Sequence, residues 1–232
     1  VYIYFPLSFD KLRVPIEELS ASRNSGSAQD STKEHLYVLA HGLNDSPRTW
    51  SDPLAKRLEL SGQGEIGTIS LNWNPYSKDA LRCSVDGRRI GVNIGEHLLR
   101  NENLQSLHLI GHSCGSFVVL GICEAIKEGR SGIQVQSTYL DPVSVYGGFW
   151  DYGLENFGTC ADYAEGYVDV DDNVPGSNGP FPSAFTFDIT GIRKNLAINV
   201  QPHIWPTIYY QLQVQKGLAP LLKSDPYIAN KY

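Results

Sequence analysis

The chain has 232 residues, with 19 Lys and Arg against 25 Asp and Glu, a net charge of −6, and 41% apolar against 19% charged residues. These are ordinary globular values at a length that holds a sizeable core. They argue against a nucleic-acid partner, which needs clustered Lys and Arg. The longest nearly unbroken apolar stretch, Phe117 to Cys123, is far short of the roughly 18–20 residues that cross a bilayer, so no transmembrane segment is expected. Methionine is absent, even at position 1. Val1 therefore does not read as an initiator, and removal of a secretion signal or excision from a longer chain is expected.

In chain order, Val1–Phe5 offers an early strand candidate, and Ser20 to Lys33 is a polar, Gly- and Ser-containing stretch expected to form a surface loop or linker. Leu36–Ala40 reads as a strand. Ser51-Asp52-Pro53 then supplies a cap and a first-turn proline for a helix that stops at Gly62. Thr68–Trp73 is the next strand. Ile90, Ile94 and Leu98 repeat at i+4 and mark a helix ending near Arg100. Ser106–Ile110 is a third strand, and Phe117–Ile126 a buried helix. Val135–Leu140, Tyr167–Val170 and Ala184–Ile189 are three more strands, and a last helix follows His203, with Pro206 in its first turn, to about Gln215. Strands alternating with helices predict an α/β fold, a mostly parallel central sheet with helices on both faces. No break supports a second domain, so residues 1–232 read as one.

Gly111-His112-Ser113-Cys114-Gly115 has the form G-x-S-x-G, set between an apolar strand and a helix. In that context a serine is held on a strained turn with its hydroxyl exposed, and small neighbours are needed because strand and helix pass closely. Ser113 is therefore the candidate nucleophile. His203 is the only histidine after it and the candidate base. The acid is open at this level, between Asp141, directly after one strand, and Asp169, Asp171 or Asp172, after the next. An oxyanion needs backbone donors. The amide of Cys114 is one, and His41-Gly42-Leu43, after the first strand, supplies a second through Leu43, with the His41 side chain propping the loop.

Together, His41-Gly42-Leu43, Asn72-Trp73, Gly111-His112-Ser113, Leu140-Asp141-Pro142, Tyr167-Val168-Asp169-Val170 and His203 with Tyr209-Tyr210 resemble the pancreatic and lipoprotein lipase family of α/β-hydrolases. The resemblance runs from about residue 36 to 212. It implies an α/β-hydrolase fold and favours Asp141, because that family carries its acid in the Leu-Asp-Pro element. It implies Ser113 as nucleophile, His203 as base and acid, Asp141 as orienter, and Leu43 and Cys114 as oxyanion donors. Where the family has Leu after the nucleophile and an aromatic after His-Gly, this chain has Cys114 and Leu43. It has no long lid insertion bounded by cysteines, so the expectation is a lidless ester hydrolase acting on lipids or other apolar acyl esters.

Seven aromatics fall between Tyr146 and Tyr167. Tyr146, Phe149 and Trp150, with Trp205, are expected to wall a substrate pocket, and Phe181 and Phe185 to contribute. The four cysteines lack metal-ligand spacing. Cys114 and Cys123 lie about 13 Å apart along one helix, too far to bridge, whereas Cys83 and Cys160 are expected in loops and able to pair. Asp169, Asp171 and Asp172 could hold Ca²⁺, although the expected chemistry requires no cofactor. Acyl transfer on the same triad and non-catalytic lipid binding are the alternative functions. An extracellular location is expected, and no oligomeric state is implied.

Overall fold

Apolar runs buried on both faces are what a parallel sheet requires, since its crossover helices cover both sides. The computed structural model describes residues 33–61, 66–174, 176 and 179–217. The strand candidate Val1–Phe5 and the expected loop, apart from Lys33, lie outside them. The described residues hold six strands, β1 (His35–Ala40), β2 (Ile66–Leu71), β3 (Ser106–His112), β4 (Gln134–Leu140), β5 (Tyr163–Val168) and β6 (Phe185–Asp188). They form one sheet in the order β2-β1-β3-β4-β5-β6, with every neighbouring pair parallel. All seven residues of β3 are buried. β5 starts and ends earlier than the expected strand at Tyr167–Val170. The Asp169 amide turns to an Asp141 carboxylate oxygen and the Val170 amide to the Thr190 hydroxyl, which ends the ladder.

Among the described residues, six α-helices accompany the sheet: α1 (Ser51–Ser61), α2 (Cys83–Leu98), α3 (Gly115–Gly129), α4 (Tyr152–Asn156), α5 (Thr190–Asn195) and α6 (Trp205–Gln215). α2 and α3 bury Ile90, Ile94, Phe117, Val118 and Ile122 against Leu36, Val38, Leu107 and Leu109 on one face. On the other face, α1 and α6 bury Leu54, Leu58, Trp205 and Tyr210 against Tyr37, Leu39 and Ile110. Each such aliphatic side chain contributes roughly 1.5–3 kcal/mol by leaving water.

α2 and α3 cross with their backbones touching. A Cβ on Gly91 would lie 2.1 Å from the Val118 carbonyl oxygen, and one on Gly121 2.1 Å from that of Arg88. The close crossing sets the first of two disulfides. Cys83, the first residue of α2, pairs with Cys114 at the start of α3, and Cys123 inside α3 pairs with Cys160, each with Cα atoms 5.9 Å apart. The expected Cys83–Cys160 pair is thus corrected: each of these cysteines is paired to a different point along α3.

Candidate active site

The parallel register brings the candidate residues to one edge. Ala40 pairs with Gly111, His112 with Leu140 and Leu140 with Tyr167. The segments leaving the C-terminal ends of β1, β3, β4 and β5 therefore emerge side by side. β1 is followed in sequence by β2 on one flank and neighbours β3 on the other, so the strand order reverses there. Such a reversal opens the crevice where α/β sheets bind ligands.

Ser113 stands between β3 and α3 at φ 53°, a conformation costly for a residue with a side chain and concentrated at functional sites. Its amide is held by the Leu140 carbonyl at 3.1 Å. The loop after β1 lies directly against it: a Cβ on Gly42 would sit 2.8 Å from the Ser113 Cβ. Only glycine permits that approach. Gly115 meets the same limit, since a Cβ there would lie 2.3 Å from the Ala40 carbonyl oxygen. Among the described residues, no acceptor takes the amide hydrogen of Leu43 or of Cys114. The N-terminus of α3 points its positive end to this place. His41 is buried, with Nδ1 3.0 Å from the Gly42 carbonyl oxygen, while the Trp73 indole N–H donates to the His41 carbonyl at 2.8 Å. Both contacts belong to the loop's own frame.

His203 lies in a 3₁₀ turn (Pro202–Ile204) that leads into α6. Its Nδ1–H meets two carboxylates, the Asp141 Oδ2 at 3.0 Å and the Asp172 Oδ2 at 2.9 Å. Asp141, at φ 44°, is fully buried, and its Oδ1 accepts the Asp169 amide at 3.3 Å. Burial disfavours an imidazolium at His203, but hydrogen bonds to Asp141 and then Asp172 outweigh it and raise the ring above the ordinary histidine range. At Asp141, burial pushes the carboxyl up and the His203 hydrogen bond opposes it.

Sequence reasoning left His112 without a role. Its Nε2–H donates to the His203 carbonyl at 2.9 Å, and the two rings lie 4.8 Å apart. Burial, then the charge of His203, lowers His112 to about 3. The ring stays neutral and keeps its N–H on the carbonyl. The only signal in the sequence was its place beside Ser113.

The other acidic candidates have separate partners. Asp169 and Asp171 both pair with Arg193, and Asp171 also with Lys194. Their charge is matched by cations from α5, and Asp172 faces His203, so the three do not converge on a calcium site. Among the described residues, the one close group of metal-ligand types is Asp141, Asp172 and His203. There the 2.9 and 3.0 Å spacings fit an Nδ1–H that donates to the two carboxylates.

The expected pocket residues divide. Tyr146 stacks on Tyr152 and packs on Phe117, whereas Phe149 and Trp150 are 71% and 61% exposed. Trp205 is enclosed beneath α6, with its indole N–H on the Ile189 carbonyl; this ring packs the core and lines no open pocket. Phe181 is buried against Tyr139 and Phe157, and Phe185 sits on the sheet's edge strand.

A lidless α/β serine hydrolase from Xanthomonas campestris resembles this chain with a TM-score of 0.53 at 12% identity, over 88% of this chain and 89% of its own. A protein of the α/β hydrolase superfamily from Xanthomonas campestris pv. campestris gives 0.49 at 13% identity over 78% and 99%. A hyperthermophilic esterase from the archaeon Pyrobaculum calidifontis gives 0.44 at 13% identity over 81% and 77%. At such identities the likeness is one of fold: the chain has the α/β-hydrolase fold. No family model and no curated protein matches the sequence.

Proposed function

We propose that the protein is a serine ester hydrolase. Ser113 attacks the carbonyl carbon of a carboxylic ester as His203 Nε2 takes the hydroxyl proton. The tetrahedral oxyanion is held by the amides of Leu43 and Cys114 and collapses to an acyl-serine as His203 returns the proton to the departing alcohol. Water, deprotonated by the same histidine, then releases the acid. Asp141 keeps the ring oriented. The route needs no cofactor. The observation that carries this reading is Ser113 at positive φ on the β3–α3 turn, with a carboxylate-bound histidine brought to the same edge of the sheet.

The lidless protein from Xanthomonas campestris is likewise described as an α/β serine hydrolase. The narrower likeness to pancreatic and lipoprotein lipases rests on the Leu140-Asp141-Pro142 and His41-Gly42-Leu43 elements and supports Asp141 as acid. The apolar rings of Phe149 and Trp150, exposed in the segment that follows Asp141, are the basis for proposing an apolar acyl group. All four cysteines are disulfide-bonded, which favours an oxidising, extracellular setting. Among the described residues, no helix is long and apolar enough to cross a membrane.

Replacing Ser113 with Ala should lower turnover of p-nitrophenyl butyrate by about 10⁴-fold or more and abolish labelling by a fluorophosphonate. Undiminished turnover in that variant would refute the proposal.

A further inference from the structure

A single N–H cannot fully satisfy two carboxylates, yet the Nδ1 of His203 faces one from each of two strand ends. Asp141 follows β4 and Asp172 follows β5. Both are aimed by backbone. The Asp172 amide donates to the Asp169 carbonyl at 3.0 Å, and the Asp169 amide to Asp141 Oδ1. Asp169 is itself fixed by Arg193. The Asp172 side chain is 6% exposed and that of Asp141 fully buried, so neither contact is a loose surface pair.

We propose that Asp172 is a second positioning residue of the hydrolase, clamping the Nδ1–H of His203 together with Asp141 so that either carboxylate alone keeps the ring oriented. This deepens the reading given above and rests on it for its kinetic arm. Two negative groups at Nδ1 also hold the ring's second proton more tightly than one would, as the raised position of His203 indicates. The other groups facing His203 do not supply that pull. His112 of β3 is neutral, and His41, beyond it, is lowered by burial. Asp169 is spoken for by Arg193, and the N-terminus of α6, directly after His203, disfavours a cation. Since Nε2 must be unprotonated to accept the Ser113 proton, the clamp should displace the acid limb of the rate profile upward.

The test compares wild type, Asp141→Asn, Asp172→Asn, the double variant and Asp172→Glu. One arm measures kcat/KM for p-nitrophenyl butyrate across pH, and the other follows the His203 imidazole nitrogens by NMR. On the alkaline plateau each single Asn variant should lose at least tenfold less activity than the double variant, which should lose about 10⁴-fold. Asp172→Asn should move both the acid limb and the His203 titration down by about one unit or more, and Asp172→Glu should restore them. Unshifted profile and titration in Asp172→Asn would overturn the clamp, as would Asp141→Asn falling as far as the double variant. A shifted titration in a protein that hydrolyses no ester would keep the clamp and refute the hydrolase.

Discussion

A methyl group at position 42 measures how tightly the site is built. Its carbon would lie 2.8 Å from the Ser113 Cβ and 3.0 Å from His112 Nδ1, so either the loop carrying the Leu43 amide or the serine must retreat. Loss of one oxyanion donor costs roughly 10²–10³ in kcat. Gly42→Ala should therefore lower kcat by about that factor while KM changes little and the melting temperature stays near wild type. A proportional rise in KM instead would mean that the loop binds substrate and does not stabilise the oxyanion. Ser113 and the two small residues beside it were legible because a strand-to-helix turn around a nucleophile limits residue size locally. Asp172 was legible only as one of several candidate acids, and His112 not at all. Their roles come from the parallel register of β3, β4 and β5, which sets distant residues side by side.

Among the elements, the strands and longer helices were legible from apolar runs and i+4 spacing. α4 and α5, with 5 and 6 residues, are too short for such periodicity. The disulfide pairing was hidden for another reason. It depends on α2 crossing α3 at Gly91 and Gly121 and on the segment after α4 reaching α3, and the sequence does not display which elements touch. The Cys83–Cys114 bond anchors the residue next to Ser113 to a second helix and closes a loop of 31 residues. Chain-entropy arguments give such a bond on the order of 3–4 kcal/mol. Replacing both cysteines with Ser should lower the urea midpoint accordingly and reduce esterase activity before unfolding begins. Full activity up to the unfolding transition would show that the elbow keeps its shape without the bond.

At the scale of the molecule, buried titratable groups set how stability follows pH. Burial lowers His108 and His112 from 6.5 to about 3, so each folds neutral. Their contribution is present above 6.5 and lost as pH falls toward 3. Burial raises Glu165 from 4.5 to about 7, against hydrogen bonds from Thr138, Tyr167 and Tyr163. As an acid with a raised position, it weakens the fold progressively as pH rises from 4.5 to 7. His203 is raised, so its contribution is complete below 6.5 and lost as pH climbs through its folded value. Between 4.5 and 6.5 the two sets oppose each other; outside that window each acts alone. Melting temperature should therefore peak around pH 5–6.5 and fall on both sides, and Glu165→Gln should raise it at pH 8 but scarcely at pH 5. An equal gain at both pH values would mean that its carboxyl does not ionise in the fold.

The parallel sheet also separates the two ends of the molecule. Ser131 and Gly132 form an exposed turn between α3 and β4, and a Cβ on Gly132 would meet nothing within 4 Å. The seven residues of β3 put that turn about 20 Å from Ser113, at ~3.3 Å per residue. Because the native cysteines are all engaged in disulfides, a Gly132→Cys substitution would introduce a single reactive thiol. Coupled there to a bead or electrode, every molecule would face the solution with the same edge, the one that carries the serine.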